Sequence, residues 1–121
     1  MTKKILIADD EEYIRELIKA SLEDGGYEIS EAEDGILTLD LVRKVIPDLV
    51  ILDIMMPGII GYRVCEEIKK NPDTAHTKVI FVSARGHEVS KMTGQMAGGD
   101  DYLVKPFEPQ EIREMVKKWL G

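Results

Sequence analysis

Three apolar runs in this chain each end in a polar or charged side chain, and that repetition restricts the fold more than any other feature. Ile5-Leu6-Ile7-Ala8 leads into Asp9-Asp10, Leu49-Val50-Ile51-Leu52 into Asp53, and Val79-Ile80-Phe81-Val82 into Ser83. Short apolar runs bounded by turn signals read as strands covered on both faces, the environment of a parallel sheet. Open parallel sheets bind ligands at the carboxyl ends of their strands. Three carboxylates and a hydroxyl are therefore expected on one rim. A fourth run, Tyr102-Leu103-Val104, ends in Lys105-Pro106 and brings an ammonium to the same rim. Carboxylates, a hydroxyl and a cation together suit a divalent metal and a phosphoryl group.

The segments between these runs read as helices. Ile14, Leu17, Ile18 and Leu22 recur at helical spacing before Gly25-Gly26, where a glycine supplies the left-handed residue that ends a helix. Tyr27 to Ala32 alternates polar and apolar residues and reads as a more exposed strand. Gly35 precedes a helix carrying Leu39, Val42 and Val45, which Pro47 stops; a third helix runs from about Gly61 to Lys70, ended by Asn71-Pro72. Residues 71–77 read as a polar connection. A weakly amphipathic helix is expected over about 87–97, with Val89, Met92 and Met96 on one side, closed by Gly98-Gly99. The last helix opens at Pro109, with Glu111 complementing its dipole and Ile112, Met115, Val116, Trp119 and Leu120 as its stripe. Strand and helix alternating five times, with right-handed crossovers, give a doubly wound α/β sheet with helices on both faces. The pattern leaves the strand order open.

A chain of 121 residues suits one domain, here 1–121, and is too short to add a separate substrate domain. Its formal net charge of -7 argues against direct contact with nucleic acid or an anionic membrane. The single cysteine, Cys65, forms neither an internal disulfide nor a multi-cysteine metal site, and reads as a packing residue. No stretch reaches membrane-span length, and Met1-Thr2-Lys3-Lys4 leads straight into a strand instead of a signal sequence. A soluble, cytoplasmic protein is expected.

Each rim residue also has a plain structural reading. Acids at the start of a helix complement its dipole, which accounts for Glu11 and Glu12. It accounts less well for Asp9 and Asp10, since paired acids at the end of a buried strand repel unless a cation relieves them, and Asp53 adds to that field. Mg²⁺ would resolve it with oxygen ligands and places left for water and phosphate. Asp53 is the candidate nucleophile, forming an acyl phosphate; the plain alternative is a turn cap. Lys105 is either an exposed strand-end lysine or a point charge pairing first with Asp53 and then with a phosphoryl oxygen. Ser83 is either a cap or the hydroxyl partner of that group. Asp100 and Asp101 read as surface acids after a helix stop. His76 and His87 have no ligand-spaced partner and read as surface residues.

Taken jointly, these motifs resemble the receiver (CheY-like) domain of two-component response regulators over essentially the whole chain. The resemblance rests on Asp9-Asp10, on Asp53-Ile54-Met55-Met56-Pro57-Gly58 with Gly61, on Val82-Ser83-Ala84, and on Ala97-Gly98-Gly99-Asp100-Asp101-Tyr102-Leu103-Val104-Lys105-Pro106-Phe107. It implies a flavodoxin-like five-stranded parallel sheet of order 2-1-3-4-5 flanked by five helices. It implies that Asp53 takes a phosphoryl group from a sensor histidine kinase, a phosphotransfer protein or a small acyl phosphate. Mg²⁺ would be held by Asp10, Asp53 and the Met55 carbonyl, with Asp9 acting largely through water. Lys105 would precede a cis bond at Pro106, and Ser83 with Tyr102 would form the switch pair, coupling phosphorylation to a partner protein or fused output domain. Such a protein assists its own phosphotransfer and dephosphorylation without turning over a separate substrate.

Lys105-Pro106-Phe107 and the pair Lys91 with Glu111 are similar to the OmpR/PhoB type, whose receivers dimerise through the fourth helix, fifth strand and fifth helix. The resemblance makes Lys91, Asp100, Asp101 and Glu111 a candidate face for a phosphorylation-dependent homodimer, although Ala97 and Met115 stand at other positions where that face carries charge. Ile60 replaces a common Asp or Asn, Gly99 replaces a common Ala, and Met55 and Arg85 occupy variable positions expected to tune phosphoryl lifetime. A dehalogenase-like phosphatase needs a second acid two residues after Asp53, where this chain has Met55. A flavin carrier wants a Ser/Thr/Gly-rich anion loop where Asp9 and Asp10 stand. A receiver that docks without being phosphorylated is the third alternative, and the five chemical positions are all filled with competent residues.

Overall fold

The computed structural model of the protein describes residues 2–84, 95 and 97–121. The elements in chain order are β1 (Lys4–Ala8), α1 (Glu12–Ser21), a 3-10 turn (Glu23–Gly25), β2 (Glu28–Ala32), α2 (Gly35–Val45), β3 (Leu49–Asp53), α3 (Gly61–Lys70), β4 (Lys78–Ala84), β5 (Asp101–Lys105) and α4 (Pro109–Leu120). All strand pairings are parallel, in the order β2-β1-β3-β4-β5. This is the flavodoxin-like sheet that the resemblance implies. Four α-helices lie among the described residues. The helix expected over about 87–97 falls almost entirely outside them, as do Arg85, His87 and Lys91.

The apolar runs form central strands because alternate side chains feed two separate cores. Leu6, Ala8, Val50, Leu52, Val79 and Phe81 pack with Leu39 and Val42 of α2 and Val64, Cys65 and Ile68 of α3. Ile5, Ile7, Leu49, Ile51, Ile80 and Val82 pack with Ile14 and Ile18 of α1 and Ile112 and Val116 of α4. Every residue of β3 is buried, whereas the edge strand β2 buries only Ala32, consistent with its alternating sequence. No helix among the described residues is long and apolar enough to cross a membrane.

Two local details add to the expectations. α1 stops at Ser21, and a 3-10 turn intervenes before the left-handed Gly26 (φ 72°). The connection at 71–77 is polar in sequence yet faces inward in part. Thr74 and Thr77 are buried, their hydroxyls donating to the carbonyls of Ile68 and Pro47 at 2.7 Å each. Buried hydroxyls require such partners, which their sequence neighbours do not reveal. At the end of α2, Ile46 takes a left-handed conformation (φ 49°), because Pro47 behind it bars helical continuation.

Candidate functional site

Register alone brings the strand-end side chains together. Ala8 pairs with Leu52, Asp53 with Val82, and Ala84 with Lys105, so Asp9, Asp53, Ser83 and Lys105 occupy consecutive positions along the carboxyl edge of the sheet. Asp9 is almost fully buried, its N–H donating to the Ala32 carbonyl (3.1 Å) and its Oδ1 accepting from the Glu11 N–H (2.9 Å). Asp53, 5% exposed, accepts on Oδ1 from the Met55 N–H at 3.0 Å. Asp10 is exposed, and oxygens of Asp9, Asp10 and Asp53 lie within 4.8 Å of one another.

One ammonium is shared by Asp9, Asp53 and the neighbouring Glu11. Lys105 Nζ lies 3.1 Å from Asp9 Oδ2, 3.4 Å from Asp53 Oδ2 and 3.5 Å from Glu11 Oε1. The Asp9 contact is an ion pair without hydrogen-bond alignment, which leaves Oδ2 buried with no aligned donor. Glu11, expected only to complement the helix dipole, shares Lys105 as well. Burial, followed by the neighbouring Asp9 carboxylate, pushes Asp53 up to about 6, with Lys105 opposing the shift. Burial likewise raises Asp9 against the pull of the Glu11 amide and Lys105. Burial alone would lower Lys105, but Asp53 and Asp9 beside it leave it raised. A single cation divided among three carboxylates cannot fully compensate any of them. A buried oxygen without an aligned donor and three convergent carboxylates form a hard oxygen set that fits Mg²⁺.

The hydroxyl and the aromatic ring meet directly. Ser83 Oγ lies 2.5 Å from the Tyr102 hydroxyl and 3.2 Å from the Ala84 carbonyl, to which it donates. Tyr102 is half-buried against the core that carries α2 and α3. The Lys105–Pro106 peptide is cis. After Asp53 the chain folds back so closely that a Cβ on Gly61 would sit 2.7 Å from Ile54 Cα and 2.9 Å from the Asp53 carbonyl oxygen. Gly58 has φ 90°, a conformation that favours glycine. Ile60, at the N-cap of α3, offers no side-chain cap and is exposed, as is Met55.

Residues 5–117 match the response regulator receiver domain family. The chain belongs to that family. Curated relatives of this receiver include a probable transcriptional regulator ycf27 of Galdieria sulphuraria, 45% identical over 95% of the chain and 44% of the relative. The DNA-binding dual master transcriptional regulator RpaA of Synechocystis is 38% identical over 97% of the chain and 48% of its own length. The receiver thus spans about half the length of the curated relatives it matches. Among solved structures, the chemotaxis response regulator CheY4 of Vibrio cholerae superposes with a TM-score of 0.91 at 27% identity, covering 98% of both chains. The BeF3-activated DrrB receiver domain superposes at 0.89 with 30% identity, over 99% of this chain and 98% of that one.

Asp100 and Asp101, half-exposed, have partners inside the receiver that their reading as surface acids does not include. Asp100 Oδ2 accepts from Lys69 Nζ and the Val79 N–H, both at 2.8 Å. Asp101 Oδ2 accepts from Trp119 Nε1 (2.8 Å) and Lys118 Nζ (3.3 Å), and its Oδ1 from the Tyr102 N–H (2.8 Å). Glu111 closes the first turn of α4 by accepting from the Glu108 N–H at 2.9 Å. Lys91 lies outside the described residues. Sequence reasoning missed Arg15 and Glu31, an α1–β2 pair that reaches the Asp9 carbonyl, because no spacing rule links a helix to the neighbouring edge strand.

Proposed function

We propose that residues 1–121 act as one phosphorylatable receiver switch, with Asp53 as phosphoacceptor. The observation that carries this reading is the Asp53 carboxyl itself: buried at the carboxyl end of the central strand, beside the carboxylates of Asp9 and Asp10 and 3.4 Å from the ammonium it shares with Asp9. Asp10, Asp53 and the Met55 carbonyl would hold Mg²⁺, with Asp9 contributing through water. When bound, Mg²⁺ would supply positive charge to offset that on the phosphoryl oxygens.

An Asp53 carboxylate oxygen attacks phosphorus; the new O–P bond forms as the N–P bond of a phosphohistidine breaks, and the imidazole leaves with the electron pair and gains a proton. Lys105 moves from bridging carboxylates to pairing a phosphoryl oxygen. The Ser83 hydroxyl turns from the Ala84 carbonyl to donate to another phosphoryl oxygen, and its contact with Tyr102 carries that change to β5. Dephosphorylation returns the carboxylate as water takes the phosphoryl group. The similar DrrB receiver is BeF3-activated, which supports a phosphoryl-responsive site of this kind.

The donor in this reading is a sensor histidine kinase or phosphotransfer protein. The relatives are transcriptional regulators about twice this length, so the receiver controls a fused or separate output, making no nucleic-acid contact itself and acting in the cytoplasm. The test is intact mass after incubation with acetyl phosphate, with and without Mg²⁺, beside Asp53→Asn. One Mg²⁺-dependent phosphoryl adduct absent from the variant is expected. A folded, Mg²⁺-binding protein with no adduct would favour a donor restricted to the kinase or docking without phosphorylation.

A further inference from the structure

Arg15 stands outside the acidic cluster yet is bonded to its backbone. Its Nη1 donates to the Asp9 carbonyl at 2.9 Å, and its Nε donates to Glu31 Oε1 at 3.2 Å. Glu31 also accepts from Lys19 Nζ at 2.7 Å, so the acceptor that orients Arg15 is held from a second side. The Arg15 side chain is only 15% exposed.

The Asp9 carbonyl and the Asp10 N–H belong to one rigid peptide plane, so a bond that fixes the first fixes the second. The Asp9 N–H is held by Ala32 of β2 and its Oδ1 by the Glu11 amide. With the carbonyl held by Arg15, the one remaining polar atom of Asp9 is Oδ2, which is buried without an aligned donor. We infer that Arg15, braced by Glu31, is a positioning residue for the cation site, locking the Asp9–Asp10 peptide so that both carboxylates converge with that of Asp53. This inference rests on the metal reading proposed above.

Positioning and simple electrostatics predict opposite signs. Arg15 is a positive charge beside a cation site, so its removal strengthens Mg²⁺ binding if charge alone matters. If it positions the peptide, removal weakens binding. Arg15→Lys keeps the charge but loses the two-pronged fork that reaches both the carbonyl and Glu31, so charge alone predicts no change. Calorimetric titration with Mg²⁺ alone is expected to show about tenfold weaker binding for Arg15→Lys, and at least that for Arg15→Met, the size typical of lost outer partners of metal ligands. Melting of the metal-free variants controls for folding, and Arg15→Lys decides the matter if Arg15→Met does not fold. Phosphorylation of Arg15→Lys by acetyl phosphate is expected to slow at limiting Mg²⁺ and recover the wild-type rate at saturation. Binding as tight as wild type in Arg15→Lys would overturn the inference while leaving the metal reading intact. A wild-type protein that binds no Mg²⁺ would overturn both.

Discussion

At the amino edge of the sheet, Asp100 accepts from the Lys69 ammonium and the Val79 amide, Thr77 donates to the Pro47 carbonyl, and Asp48 accepts from the Lys4 amide at 2.8 Å. At the carboxyl edge, Asp9 Oδ2 is buried without an aligned donor and Lys105 is divided among three carboxylates. The same strands supply both edges. The acids of the amino edge have aligned donors of their own, whereas the acids of the candidate site are held together in excess of their compensation. A local rule broken at one edge only is the expected signature of function. In the function proposed above, the excess is also what a metal ion or a phosphoryl group would relieve.

Substitutions at the two edges should therefore act with opposite sign. The largest effect is expected from Asp100→Ala, which leaves the Val79 N–H without its side-chain acceptor and the Lys69 ammonium with the Thr77 carbonyl alone. Urea denaturation should show a loss of about 2–3 kcal/mol. Asp53→Asn should do the reverse, stabilising the metal-free protein at neutral pH by about 1–2 kcal/mol, because it removes one of the mutually repelling acids. A loss of stability in Asp53→Asn would equate the two edges and remove the contrast.

The pH dependence sharpens the same contrast. Asp53 has its folded value raised to about 6 from an ordinary 3.8, so folding disfavours its ionised form. Its contribution is unchanged below the unfolded value and turns destabilising as pH rises through the window from about 4 to about 6. The stability advantage of Asp53→Asn should therefore grow across that window, level off above it, and shrink when Mg²⁺ is added. Asp101 behaves in the opposite sense. Burial would raise it, but Trp119, the Tyr102 amide and Lys118 hold it below the ordinary value. Its contribution is present above the unfolded value and is lost as pH falls through the folded one. The smallest effect is expected from Trp119→Phe, which removes the indole donor to Asp101. About 1 kcal/mol should be lost in thermal melts, with Mg²⁺ affinity unchanged.

The sequence made β1, β3 and β4 readable because strands buried on both faces must be continuously apolar, and a polar residue at the end of such a run stands out. Asp9, Asp53, Ser83 and Lys105 stand out in this way, and the register of the sheet aligns them. Strand order was not encoded in any local pattern and came from resemblance alone. The amino-edge network was hidden for a related reason. Asp100, Thr77 and Lys69 look like ordinary polar residues of loops and helix ends, and only the tertiary fold gives each a buried partner. Arg15 and Glu31 were invisible too, since a pair joining a helix to an edge strand leaves no periodic trace.

The most direct test of the phosphoacceptor assignment is to treat the protein with acetyl phosphate and Mg²⁺, reduce any acyl phosphate with borohydride, and map the product by peptide mass spectrometry. The account predicts conversion of Asp53, and of no other acid, to homoserine. Conversion at Asp9 or Asp10 in place of Asp53 would contradict it.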